Sequence, residues 1–127
     1  ETVLLVEDQT ALRQAVATAF ENLGYAVLEA ADGARALELW SEQPAPIDLL
    51  LTDEVMPGMP GSELARRLRE LDPSLAVILF SGRVGATTGQ PMSKWVDATI
   101  GKPFSFRALA RVVRDVLDGS FQREEPS

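Results

Sequence analysis

The sequence predicts a doubly wound α/β domain, a parallel sheet with helices on both faces. Three observations carry this. Short, continuous apolar runs alternate with stretches of helical period, Gly and Pro mark the joints between them, and 127 residues are enough for one domain with one core. Runs that are apolar throughout, and not at every second position, belong to strands covered on both faces. The repeat is βα, five times over.

The elements follow in order. "TVLLVE" (2–7) is the first strand, and Leu12, Val16, Ala19, Phe20 and Leu23 make the apolar face of a helix that Gly24 ends. "YAVLEA" (25–30) is the second strand; "DGARALELW" (32–40) is a shorter helix, opened at Gly33 and ended by Pro44 and Pro46. "IDLLLTD" (47–53) leads to a helix with Leu64, Leu68 and Leu71 on one face, stopped by Pro73. "LAVILF" (75–80) is the fourth strand. The stretch 82–97, "GRVGATTGQPMSKWVD", has Gly and Pro where the fourth helix belongs, so that helix is expected to be short or irregular. A weaker run, "ATIG" (98–101), precedes a last helix with Leu109, Val112, Val113, Val116 and Leu117 inward, Ser105 as its cap and Gly119 as its close. Residues 1–118 are expected to form the domain, and the polar 119–127 reads as a tail or linker.

Composition narrows the chemistry. There is no Cys and no His, which removes disulfides, thiolate and imidazole metal sites, Ser-His-Asp triads and histidine acid–base catalysis. Any metal must be held by oxygen, which suits Mg²⁺ or Ca²⁺. A net charge of −7 argues against binding a nucleic-acid backbone. No run reaches membrane-spanning length and no export signal is recognisable, so no membrane contact and a cytoplasmic setting are expected.

The run "LLLTDEVMPG" (49–58) ends a buried strand in two acids, Asp53 and Glu54, although an unpartnered buried carboxylate is costly. In open α/β sheets ligands bind beyond the carboxyl ends of the strands. Those ends bring Glu7 and Asp8, Asp53, Ser81 and Lys102 to one rim. Three carboxylates there repel one another, and a divalent cation with one ammonium relieves the repulsion. Few protein ligands with room for phosphate suits Mg²⁺. A carboxylate beside Mg²⁺ and Lys is equipped to attack phosphorus, with Ser81 offering a hydroxyl to the phosphoryl group. Singly, each residue has a plainer explanation: Glu7 and Asp8 could start a helix, Lys102 could be a solvated loop residue, and Ser81-Gly82 an ordinary turn. Their coincidence on one rim favours chemistry.

The quoted pieces "VLLVED", "DLLLTDEVMPGMPG", "ILFSG" and "GKPF" are spaced as in a known family. Over about Thr2 to Leu117 the chain resembles the receiver (response-regulator) domain of two-component signalling. The run from Ala30 to Leu68 looks especially like receivers of hybrid sensor histidine kinases. The resemblance implies a flavodoxin-like five-stranded sheet in the order 2-1-3-4-5. It makes Asp53 the phosphoacceptor, and Asp8, Asp53 and the Val55 backbone carbonyl the Mg²⁺ ligands, with Glu7 helping through water and Mn²⁺ as a substitute ion. Ser81 and Lys102 would bind the phosphoryl group, and Lys102–Pro103 would be cis.

The implied partner is a histidine kinase or histidine phosphotransfer domain, docking near Leu12 to Phe20 and Lys102 to Phe104. The output face would be built from about 84–118, with Val84, Trp95 and Phe106 as candidates and room for a homodimer; Trp95 could equally pack down on the sheet. The domain itself is then a signalling module and not an enzyme beyond self-phosphorylation and slow autodephosphorylation, a rate that Val55 and Arg83 would tune. Its parent chain could be a kinase.

Two departures stand out. Thr99 occupies the position where many members carry a switching aromatic, and the hydroxyl residue is Ser81 where others have Thr. Two alternatives are carried with this reading. A Mg²⁺-dependent aspartyl-phosphate phosphohydrolase would need an acid–base carboxylate where Val55 stands, and a receiver-like docking module without phosphorylation would not need the intact acidic set. A nucleotide- or flavin-binding module would want a Gly-rich loop after the first strand, where "EDQTAL" is acidic.

Overall fold

Strands β1 (Thr2–Val6), β2 (Ala26–Ala30), β3 (Leu49–Asp53), β4 (Ala76–Ser81) and β5 (Ala98–Gly101) form one parallel sheet in the order β2-β1-β3-β4-β5. The structure, a computed structural model, describes residues 1–43, 46–81 and 95–119, with Ser81 described through its backbone alone. Pro44, the segment 82–94 where an irregular helix is expected, and the tail from 120 lie outside the described residues.

The two-residue period of the strands divides the core into two layers. Val3, Leu5, Leu49, Leu51, Ile78, Phe80, Ala98 and Ile100 face α1 (Thr10–Asn22) and α4 (Phe106–Leu117). Leu4, Val6, Leu50, Val77 and Leu79 face α2 (Gly33–Glu42) and α3 (Gly61–Leu71). Central β3 is buried along its whole length, as the continuous run "LLLTD" requires, whereas edge strand β2 is half exposed. The parallel register sets Asp53 beside Phe80, and Phe80 beside Ile100. Chain direction therefore delivers the ends of β1, β3, β4 and β5 to one rim.

Local signals stop and start the helices largely where expected. Ser105 caps α4, its side chain accepting the Ala108 N–H at 3.0 Å, and Asp32 does the same for α2 through the Arg35 N–H at 2.8 Å. Gly24 and Gly119 take positive φ just beyond α1 and α4.

Two expected core residues are instead exposed, Leu23 at 60% and Leu71 at 66%. Leu23 stands after the last residue of α1, where helical periodicity no longer places side chains. In α3 the buried stripe runs through Leu64, Ala65, Leu68 and Arg69, so Leu71, at the helix's last turn, points away while an arginine takes the inner position. Arg69 is satisfied there: its Nε donates to the Leu75 carbonyl at 2.8 Å and its guanidinium pairs with buried Asp97, whose carboxylate also accepts the Val77 N–H at 2.9 Å. Among the described residues, no helix is long and apolar enough to cross a membrane.

Candidate functional site

Glu7 follows β1 and is completely buried, which a carboxylate tolerates only with partners. One oxygen accepts from Lys102 Nζ at 2.9 Å and the other from the Gln9 N–H at 3.1 Å. Asp8 beside it is exposed. Helix α1 begins only at Thr10, with no acid in its first turn, so this acidic pair precedes the helix. Asp53 ends β3 at 7% exposure, and its Oδ2 lies 3.2 Å from Lys102 Nζ. Ligand oxygens of Glu7, Asp8 and Asp53 all lie within 4.8 Å of one another.

Lys102 reaches this cluster from the loop after β5, across a cis Lys102–Pro103 peptide. Its ammonium stands 5.7 Å from the centroid of Phe80, which stacks on Phe104 at 5.0 Å. Burial disfavours its charge, but hydrogen bonds to Glu7 and Asp53 outweigh that and hold its pKa above the ordinary lysine value. The ammonium thus bridges the two buried acids.

The loop after Asp53 is closed by residues that sequence reasoning missed. Glu54 reaches across it, its carboxylate accepting the Ser62 N–H at 2.7 Å and the Ser62 hydroxyl at 3.0 Å. Pro60, the N-cap of α3, offers no side-chain cap, so Glu54 supplies one from outside the helix. The Gly61 N–H donates to the Glu54 carbonyl at 2.9 Å, and a Cβ on Gly61 would stand 2.1 Å from the Asp53 carbonyl oxygen. The only sequence signal for this was an acid directly after the end of a buried strand.

The structure thus brings Glu7, Asp8, Asp53 and Lys102 together. The Ser81 backbone ends β4 opposite Gly101; its side chain, with Val84 and Arg83, lies outside the described residues. Val55 follows in the loop and is 77% exposed. Thr99 is buried in β5 beside Leu79. Trp95 is half-buried against the core layer under α2 and α3, the plainer of its two expected roles, while Phe106 is exposed and edge-on to Phe104. Phe20, at one end of the expected docking stretch, is buried against the sheet.

A cluster of hard carboxylate oxygens with one side open suits a small divalent cation, so the residues present fit Mg²⁺.

A parallel sheet of this order, with an acidic cluster and a lysine at its carboxyl rim, defines a class that comparison with known proteins makes specific. The profile of the response regulator receiver domain matches residues 3–114, and the chain belongs to that family. It is 39% identical over 120 residues to sensor kinase CckA of Brucella abortus, covering 92% of this chain and 12% of that protein. It is 38% identical over 116 residues to response regulator receiver protein CpdR of the same organism, covering 91% and 95% respectively. One relative is thus many times longer than the matched segment, and the other is barely more than a receiver. Among solved structures, response regulator protein TrrA of Thermotoga maritima, in complex with Mg²⁺-BeF, superposes with a TM-score of 0.79 at 25% identity, over 91% of this chain and 98% of that one. The flavodoxin-like order anticipated from the sequence is the observed one. The chain is a two-component receiver domain, and its relatives include the receiver of a sensor kinase.

Proposed function

We propose that this receiver takes a phosphoryl group from a phosphohistidine onto Asp53, with Mg²⁺ bound, and that the resulting acyl phosphate switches the face around residues 84–118. The observation that carries the reading is the nearly buried Asp53 carboxylate, bonded to Lys102 and grouped with Glu7 and Asp8. An Asp53 carboxylate oxygen attacks phosphorus as the P–N bond breaks. The electron pair leaves with the imidazole nitrogen of the donor, which takes up a proton. Lys102 shifts from its bridge between Glu7 and Asp53 towards the phosphoryl oxygens, and Ser81 offers its hydroxyl to the same group.

Asp8, Asp53 and the Val55 carbonyl would hold Mg²⁺, with Glu7 assisting through water and Mn²⁺ able to replace it. The ion would neutralise charge on the transferred group. The Mg²⁺-BeF complex of TrrA supports this assignment by likeness. The donor is a histidine kinase or histidine phosphotransfer domain, in a cytoplasmic setting, and residues 1–118 are the functional unit. Pairing of two copies would use the switched face. Nucleic acid and membrane are not partners of this domain. A phosphohydrolase is disfavoured because exposed Val55 stands where its acid–base carboxylate would be.

The test is intact mass after incubation with acetyl phosphate and Mg²⁺. One phosphoryl adduct is expected, lost with EDTA and lost in Asp53→Asn. An adduct that survives in Asp53→Asn, or absence of both the adduct and beryllofluoride binding in wild type, overturns the phosphoacceptor assignment.

A further inference from the structure

The turn from β1 to α1 carries two of the three clustered acids, and one side chain from outside that turn grips its backbone. Arg13, one turn into α1, is only 15% exposed. Its Nη1 donates to the Glu7 carbonyl at 2.8 Å, while its Nε lies 3.3 Å from Glu29 Oε1 on β2. Glu7 is fixed from its other side by its own N–H, which donates to the Ala30 carbonyl at 3.0 Å.

The Glu7 carbonyl belongs to the planar peptide that leads into Asp8. Pinning that oxygen fixes the rotation of the peptide plane, and with it the direction in which Asp8 leaves the backbone. Glu7 needs no such help, because Lys102 and the Gln9 N–H already hold its carboxylate. Asp8 is exposed, and its aim depends on the turn.

We propose that Arg13 is a positioning residue for the cation site: held by Glu29, it locks the Glu7–Asp8 peptide so that Asp8 shares one donor set with Glu7 and Asp53. This rests on the Mg²⁺ reading above. Partners that orient metal ligands typically change metal affinity about 10–100-fold when removed. A bare charge effect has the opposite sign, because deleting a cation near the site would tighten binding of Mg²⁺.

The experiment is titration of wild type, Arg13→Ala and Arg13→Lys with MgCl₂ at constant ionic strength, read from backbone amide NMR shifts. A dispersed spectrum before metal is added certifies the fold of each variant. Arg13→Ala is expected to weaken Mg²⁺ about tenfold or more, with Arg13→Lys in between because an ammonium still reaches one of the two acceptors. Should Arg13→Ala not fold, Arg13→Lys carries the test: it keeps the charge but can hold only one of the two acceptors, and it is expected to weaken Mg²⁺ by up to about tenfold, whereas a constant equal to that of wild type overturns the inference. An Arg13→Ala constant equal to or tighter than that of wild type overturns this inference alone. Absence of Mg²⁺-dependent shifts in wild type overturns the cation reading itself, and this inference with it.

Discussion

Asp53 and Gly61 meet where the loop from β3 closes on the start of α3, and the constraint there is steric. A side chain on Gly61 would meet the Asp53 carbonyl oxygen, the Asp53 carbonyl carbon at 3.0 Å and Glu54 Cα at 3.1 Å, all backbone atoms that cannot rotate aside. Gly58, in the same loop, has a φ of 83° and open space around its Cβ position. Gly61→Ala is therefore expected to destabilise by about 3 kcal/mol, as overpacking does, and Gly58→Ala by only about 1 kcal/mol, the cost of the left-handed backbone. Urea unfolding of both variants checks the order, and equal losses would mean that the loop can move away from Asp53. At this scale the sequence showed the residues that bear charge at strand ends, Glu7, Asp8, Asp53 and Lys102. It concealed those that hold them, because Arg13, Glu54 and Gly61 act on backbone atoms whose nearness exists only after folding.

Among the elements, the strands were legible because each is a continuous apolar run, and the helix ends because Gly24, Ser105 and Gly119 have conformational or hydrogen-bonding reasons to stand there. Helix faces were less so. The pattern through Leu64, Leu68 and Leu71 is a good helical stripe, yet the structure buries Arg69 in place of Leu71 because Asp97, 28 residues away, supplies its counter-charge. No local pattern announces a pairing of that kind. The side chains of Arg69 and Asp97 are 7% and 3% exposed, and the pair ties α3 to the approach to β5. Removing one partner of such a pair strands a buried charge. Asp97→Ala is expected to cost about 3–5 kcal/mol, whereas the double variant Arg69→Leu with Asp97→Ala should recover part of that loss. Chemical denaturation of the two variants decides it. A double variant no better than Asp97→Ala would show that the hydrogen bonds to Leu75 and Val77 matter more than the charge.

For the whole molecule, the residues alone implied parallel strands under helices on both faces, whereas the order 2-1-3-4-5 came with the family resemblance, since no strand names its neighbour. That order sets β1 and β3 side by side and brings β5 within reach of both through Lys102, so one lysine offsets acids 95 and 49 positions away in the chain. The consequence for stability can be read against pH. Lys102 is held above its ordinary value of 10.5 in the folded chain, against the opposing effect of burial, by its bonds to Glu7 and Asp53. A group whose pKa is raised on folding contributes stability that is fully present below its unfolded pKa and is lost as pH rises through its folded pKa. An unfolded lysine titrates near 10.5, so this contribution is constant across the neutral range. In Mg²⁺-free buffer, Lys102→Gln should therefore melt below wild type by a gap that is constant between about pH 7 and 9 and narrows only above about 10.5. Thermal melts across that range test the bridge directly. A gap that closes before about pH 9 would mean that Lys102 does not hold the two acids as an ammonium in the folded state.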